Sequence, residues 1–257
     1  MIRYEVDGRV ATITIDRPDR RNALDRAHVV DLLATVAEAS ADDAVRAVVL
    51  TGAGGVFCAG TDMSVRDDIA PAHDDWWADM EPNGWCWPIV RSPKPFLAAV
   101  DGAAVGQGAE LTSHCDWRIA STRARFSWNF VHRGLVPDTG AGTWLLPRQV
   151  GLTNALRLVF EGEPIRAETA KAMGYVHAVV EPEALGRAAR DAAERLAAAS
   201  PLSIRLAKRL IYDGLGRSVE DHLPAHVAAL RECFASDDHA EGVAAWREKR
   251  TPRFTGR

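Results

Sequence analysis

The spacing of apolar residues changes several times along the chain, and each change marks an element. Residues 2–6 and 10–15 alternate apolar and polar side chains on either side of Asp7-Gly8, which predicts a β-hairpin. Beyond DRPDRRNAL, the residues Val29, Val30, Leu32, Leu33 and Val36 recur at helical spacing, so a helix is expected over about residues 25–40. Residues 45–50 and 96–100 are unbroken apolar runs, the pattern of strands covered on both faces. Short strands are expected over 118–120 and 125–128, then a loop over 134–142 and helical structure over 143–150 interrupted by Pro147. From Thr153 the chain turns alanine-rich and amphipathic, with one short strand expected over 176–180. Its clearest helices span 182–199, 201–215 and 219–234, with Pro and Gly at their ends.

Both buried runs lead into glycines. The first continues as TGAGGVFCAGTD and the second as DGAAVGQGAE, and a helix is expected after each. Strands alternating with helices imply stacked βαβ-type units. Gly106 and Gly108 let the backbone approach a ligand closely, and residues 107–114 read as a short helix opening out of that turn. The free N–H groups of a helix start favour negative charge there, and Glu110 would lie about one turn along on the same side. An anion-stabilising amide would then have a carboxylate for a neighbour.

Composition narrows the class. The chain has 257 residues, 47% of them hydrophobic, which is material for one sizeable core. A net charge of −4 gives no basic footprint for nucleic acid. No apolar run approaches the ~18 residues that span a bilayer, and the alternating start lacks the basic end and apolar centre of a signal peptide, so a cytoplasmic protein is expected. Cys58, Cys86, Cys115 and Cys233 show no CxxC spacing and the histidines no HExxH, which indicates neither a disulfide framework nor a zinc site. The chain also lacks GxGxxG after a strand, a Walker A loop and a GxSxG elbow, and with them the usual arguments for a dinucleotide, for ATP or for a serine hydrolase.

The segments RAVVLTGAGGVFCAGTDM, AAVDGAAVGQGAEL and GLVPDTGAGTWLLP, in this order and spacing, resemble the crotonase superfamily of enoyl-CoA hydratases and isomerases, over roughly residues 1–250. The resemblance implies an α/β fold: a crotonase-like spiral of repeated ββα units over residues 1–195 carrying an acyl-CoA site, then a helical C-terminal section over 196–257 for subunit packing. It implies an acyl-CoA thioester as substrate, with coenzyme A as part of that substrate, no further cofactor and no metal. It also implies a homotrimer or homohexamer, and no nucleic-acid or membrane partner.

Removing a proton from the α-carbon of a thioester puts negative charge on the carbonyl oxygen, so an enzyme needs donors at that oxygen and a base near the carbon. By resemblance the donors are the backbone N–H groups of Ala59, in FCAGTD, and Gln107, in VGQGAE; the family usually has glycine at the latter position. Hydratases of the family use two glutamates. Glu110 matches the first, and Phe130 stands at the second, so the chain departs from the hydratase pattern there. Asp138, in VPDTGAG, matches the position where several isomerases and a related dehalogenase carry a carboxylate, and GLVPDTGAGTWLLPR is most similar to ring-opening isomerases of phenylacetyl-CoA breakdown. Local chemistry alone reads Asp138 equally well as a turn or helix cap, and Glu110 as a carboxylate favoured by the helix dipole. The RRNAL segment, with Arg21 and Ala23, resembles the loop that meets the CoA phosphates and adenine, and Asp62 the pantetheine entry. His132 and Arg133 sit near this chemistry but read as structural.

Trp76, Trp77, Trp85 and Trp87 fall in a stretch without clear period that borders the acyl pocket in the family. They read either as lining for a bulky acyl group or as packing. Four functions stay open. An enoyl-CoA isomerase with Asp138, and with Glu110 beside it, leads. An enoyl-CoA hydratase using Glu110, a nucleophilic aspartate, and a non-catalytic acyl-CoA-binding protein are the others.

Overall fold

The computed structural model describes residues 1–64 and 87–257. Among the described residues nine strands form two sheets: β1 (Ile2–Asp7), β2 (Val10–Ile15), β3 (Ala47–Gly52), β4 (Phe96–Val100), β5 (Ala103–Val105), β6 (Trp117–Ser121), β7 (Arg125–Ser127), β8 (Ile165–Arg166) and β9 (Ala178–Val180). The larger sheet has the order β1-β2-β3-β4-β6-β9 and the smaller the order β5-β7-β8. The β1–β2 hairpin is antiparallel, while β2 through β9 pair in parallel across the larger sheet. The expected helix after the first glycine turn falls outside the described residues, as do Trp76, Trp77, Trp85 and Cys86.

Alternation within the apolar runs explains why they are apolar throughout. Val48 and Leu50 of β3 and Phe96, Ala98 and Val100 of β4 join a core with Phe126, Trp128, Tyr175 and the buried face of α1 (Arg26–Ala41). Their neighbours Val49, Leu97 and Ala99 point the other way, against Ala189, Ala192, Ala193 and Ala197 of a later helix. α1 starts at Asp25, whose carboxylate accepts the N–H of His28 at 3.0 Å.

Two short strands escape the apolar pattern. β5 intervenes between Gly102 and Gly106, so the second turn is a ββα unit and not a strand running straight into a helix. β8, only two residues long, closes the smaller sheet antiparallel to β7. Three residues carry too little periodicity to be read as a strand.

The helices that follow α1 are α2 (Trp87–Arg91), α3 (Gln107–His114), α4 (Ala141–Trp144), α5 (Leu146–Val150), α6 (Leu152–Glu161), α7 (Ala167–Ala172), α8 (Leu185–Ala197), α9 (Pro201–Gly214), α10 (Val219–Phe234) and α11 (Asp237–Glu248). α8 covers the outer face of β3, β4 and β6. Pro147 sits in the first turn of α5, where its missing N–H costs nothing, so the expected interruption is a junction between two short helices.

α3 is buried along all eight residues, and polar neighbours hold it from its C-terminal end. Arg118, itself buried, donates to the carbonyls of Thr112 (2.9 Å), Cys115 (2.7 Å) and Tyr175 (2.6 Å). A cation there satisfies carbonyls that the helix leaves open and complements its negative end. The Tyr175 hydroxyl meets Thr112 Oγ1 at 2.6 Å and Ser113 Oγ at 2.8 Å.

The first turn is fastened by Asn22, which is fully buried in the left-handed region at φ 58. Its Nδ2 donates to the Ala53 carbonyl at 2.8 Å and the Val56 carbonyl at 2.6 Å, and its Oδ1 accepts the Arg17 N–H at 2.8 Å. Asn22→Ala would orphan these groups and put a side chain less suited to positive φ in that place. A loss of about 2 to 4 kcal/mol is expected in denaturant unfolding; a loss below about 0.5 kcal/mol would show that the turn holds without this residue.

Candidate active site

The two glycine turns touch, and glycines make the contact possible. A side chain at Gly108 would collide with the carbonyl of Cys58, and one at Gly60 would come within 2.8 Å of the Val105 carbonyl oxygen and 3.6 Å of the Gln107 nitrogen. Hydrogen bonds lock the contact: Cys58 N–H donates to the Ala103 carbonyl at 2.9 Å, and Val105 N–H to the Cys58 carbonyl at 3.0 Å.

The pattern of spent amides corrects the expected donor in the first turn. Ala59 N–H donates to the Arg21 carbonyl at 3.1 Å and is committed to holding the 17–24 loop. Leu24 N–H donates to the Gly60 carbonyl (2.8 Å) and Asp62 N–H to the Leu24 carbonyl (2.9 Å), a parallel bridge between Leu24 and Thr61. In such a bridge the N–H of Thr61 itself faces away from Leu24, and it has no acceptor among the described residues. Gln107 N–H opens α3 and likewise has none, while Gly106 N–H is taken by the Ser127 carbonyl at 2.9 Å. The free amides therefore belong to Thr61 and Gln107. Sequence identified the segment FCAGTD but not which alternate amide was free, because that depends on pairing with Leu24.

Glu110 is completely buried one turn into α3. Its Oε2 accepts the hydroxyl of Thr139 at 2.8 Å. The amides of Gly142, Thr139 and Ala141 also favour its charged form, but only Thr139 Oγ1 makes a full hydrogen bond, and Oε1 has no partner. Gly142 leaves room for this carboxyl, since a side chain there would meet Glu110 Oε1 at 2.7 Å. Burial pushes the Glu110 acid above its ordinary range despite these donors.

Asp138 enters from the loop before α4. Its Oδ1 is buried without a partner, and its acid is pushed up to about 7, first by burial and then by the charge of Glu110. Asp138 does not cap α4, whose first turn has no side-chain cap. Cys58 lies within the field of Asp138, and burial pushes its thiol up to about 12, so it is an inert neighbour. The Phe130 ring approaches the second turn, 3.9 Å from where a side chain on Gly106 would start.

Trp87 connects α2 to this centre. Its Nε1 donates to the Thr139 carbonyl at 3.0 Å, and its ring meets His114 edge-on at 5.4 Å. His114 Nδ1 lies 2.8 Å from the Glu110 carbonyl, and burial lowers the imidazole to about 4, which keeps it neutral. Lys208 of α9 fixes α2 in turn, donating to the Ile89 carbonyl at 2.9 Å while pairing with Asp116 at 2.8 Å.

The residues expected near coenzyme A lie around the first turn, two of them bonded to Arg17. Asp62 is buried, and its oxygens accept from Arg17 (2.8 Å) and from Ser64 Oγ (2.6 Å). The Ala23 carbonyl accepts Arg17 Nη1 at 3.0 Å. Arg21 is exposed. His132 and Arg133 are exposed, with His132 Nε2 2.7 Å from the Glu161 carbonyl, away from the carboxyl pair.

Two touching turns with free amides and a buried acid pair define an α/β protein suited to stabilising an anion beside a proton-transfer group. Residues 5–257 match the family model described as enoyl-CoA hydratase/isomerase, and the chain belongs to that family. It is 36% identical to the 1,2-epoxyphenylacetyl-CoA isomerase of Escherichia coli, over 98% of this chain and 97% of that protein. It is 35% identical to the short-chain-enoyl-CoA hydratase of Clostridium acetobutylicum, over 96% of this chain and 94% of that one. Among solved structures, an enoyl-CoA hydratase from Bacillus anthracis superposes with a TM-score of 0.91 at 31% identity, covering 100% of this chain and 99% of that one. The chain is thus an enzyme of the hydratase or isomerase kind with the crotonase fold. No helix among the described residues is long and apolar enough to cross a membrane.

The raised acids carry a stability signature. A carboxyl at about 7 in the native state and near 3.8 when unfolded binds its proton more tightly in the native state, so it lowers native stability as pH rises through that window. Asp138→Asn removes the effect, and its melting temperature should gain on the wild type from about pH 5 to about pH 8. A gap that stays constant with pH would show that Asp138 titrates as an ordinary surface acid.

Proposed function

We propose that this chain is an acyl-CoA isomerase that moves a double bond through a thioester enolate. The observation that carries the reading is the buried Glu110 with the half-buried Asp138 in its field, the latter held near neutrality by burial of its carboxyl and then by the charge of Glu110. An acid of that strength accepts and returns a proton near neutral pH. For a 3-enoyl-CoA, the pair takes a proton from C2, the electrons pass to the thioester oxygen, and a proton is delivered to C4 as the double bond settles between C2 and C3. The N–H groups of Thr61 and Gln107 are the donors for the enolate oxygen in this reading. Coenzyme A belongs to the substrate and no further cofactor takes part. Phe130 offers no second glutamate for positioning water, which favours isomerisation over hydration.

Hydration is the second reading, supported by the relative named as a hydratase. In it Glu110 works with Asp138 in place of a second glutamate. Asp138→Asn keeps the side chain's shape and removes its basic oxygen. Turnover of a 3-enoyl-CoA should fall about 10²- to 10⁴-fold with acyl-CoA affinity retained. Glu110→Gln should reduce hydration of a 2-enoyl-CoA more than isomerisation. Isomerisation by Asp138→Asn within a few-fold of wild type would remove Asp138 from the mechanism.

A homotrimer or homohexamer is the proposed assembly. Val219, Leu223, Val227, Leu230 and Phe234 form an exposed apolar stripe along α10, beside exposed Ile211 of α9 and Trp246 of α11. Such a surface is costly to leave in water. Light scattering at micromolar concentration should give three or six chain masses, and a monomer would overturn the assembly.

A further inference from the structure

α3 carries two polar faces that differ in kind. On one, Thr112 and Ser113 are bonded to Tyr175 and their carbonyl neighbourhood is held by Arg118. On the other, helical spacing aligns Gln107, Glu110 and His114. All three are buried, and each has an unpartnered polar atom: both Gln107 Oε1 and Nε2, Glu110 Oε1 and His114 Nε2. Buried polar atoms without partners are costly, and each calls for an explanation.

Proton transfer accounts for the free oxygens of Glu110 and Asp138. His114 is neutral and packed against Trp87. Gln107 has no such account: the residue is 1% exposed, yet among the described residues no group partners its side-chain acceptor or its two donors. Side chains on a helix lean toward its N-terminus. The Gln107 amide therefore leans toward the end of α3 that meets Gly60 and Thr61, beside its own free N–H.

Resting on the acyl-CoA reading above, we infer that the Gln107 side chain is a specificity determinant that hydrogen-bonds an oxygen function on the acyl group close to the thioester. The substrate class is an acyl-CoA with a hydroxyl, ether or keto oxygen near C3 or C4, in preference to a plain hydrocarbon chain. An amide that can both donate and accept suits a hydroxyl on either count and an ether or keto oxygen through its N–H groups. A buried polar group built for a partner discriminates strongly against ligands that lack it, because it is then left unpaired. A hydrocarbon acyl group filling this place would leave the Gln107 amide as orphaned as it is in the free protein.

Calorimetric binding of butyryl-CoA, 3-hydroxybutyryl-CoA (each enantiomer) and 4-hydroxybutyryl-CoA tests this on the full chain. At least one oxygenated thioester should bind about tenfold or more tighter than butyryl-CoA. Gln107→Met keeps the backbone N–H and the length of the side chain while removing both polar ends, and should erase that preference. Far-UV circular dichroism and the melting temperature check that the variant folds, and the preference is read as the ratio of affinities for the oxygenated thioester and butyryl-CoA within each protein. If Met at this position disturbs the fold, Gln107→Leu provides the same comparison. Equal affinities in the wild type, or a preference that persists in both variants, overturn the inference and leave the acyl-CoA reading intact. If none of the thioesters binds the wild type, the acyl-CoA reading itself fails.

Discussion

The contact between the two glycine turns is the constraint on which the rest of the structure depends. Each turn follows a central strand of the larger sheet, and the second is separated from its strand by β5. Only the absence of a side chain at Gly108 lets the Cys58 carbonyl reach α3, and only then can the Cys58 backbone add itself to β5. The free amides of Thr61 and Gln107 are a by-product of this arrangement, since the amides of Ala59, Asp62, Val105 and Gly106 around them are consumed in making it. Both sides are held rigidly. Asn22 and the Arg17–Asp62 pair fix the first turn, and Arg118 with Tyr175 fixes the far end of α3. In the proposed reaction, donors preorganised in this way need no rearrangement when charge develops on the thioester oxygen.

The acid pair is the costly part. Two carboxyls raised by burial, Asp138 also by the charge of Glu110, work against the fold at neutral pH, and the surrounding contacts offset this without abolishing it. Thr139 supplies a hydroxyl to Glu110, and Gly142 supplies space. Trp87 holds the Thr139 carbonyl, and Lys208 holds the helix that carries Trp87. The C-terminal helices therefore reach the site through α2, by hydrogen bonds and not through any side chain of their own in the centre.

Much of the fold was legible because burial on both faces writes itself into sequence. The runs 45–50 and 96–100 read as covered strands, and the family resemblance supplied the spiral that periodicity could not. β5 and β8 were illegible for a physical reason: strands of three and two residues are set by their partners, with no period of their own. At the site, Glu110 and Gln107 could be placed from the glycine turn and helix start alone. Thr61 could not, because an extended segment alternates its amides and only the pairing with Leu24 decides which is free. At Asp62 and Ala23 the structure adds partners that the sequence does not show. Their loop resembles a ligand-binding segment, yet Arg17 takes their oxygens. The partnerless Gln107 amide was also invisible, since sequence shows a polar residue but not what surrounds it.

Phe130 gives the sharpest link between packing and chemistry. It is nearly buried beside Gly106, so the position at which the family resemblance expects a hydratase's second carboxylate holds an aromatic ring packed into the main core. A charge introduced there would have to be desolvated among apolar neighbours at a cost of several kcal/mol. Asp138, by contrast, arrives on a loop whose flanking residues Leu135 and Val136 are exposed, and its carboxyl is buried only at the tip. The two acids thus come from unlike supports, one from a helix fixed at both ends and one from a surface loop braced by Trp87 through Thr139. In the proposed isomerisation one acid near neutrality can take a proton from C2 and return it at C4, a role that asks for no second glutamate to position water. In the isomerase reading proposed above the loop acid carries that proton, and the Phe130 ring stands as an apolar wall beside the second turn.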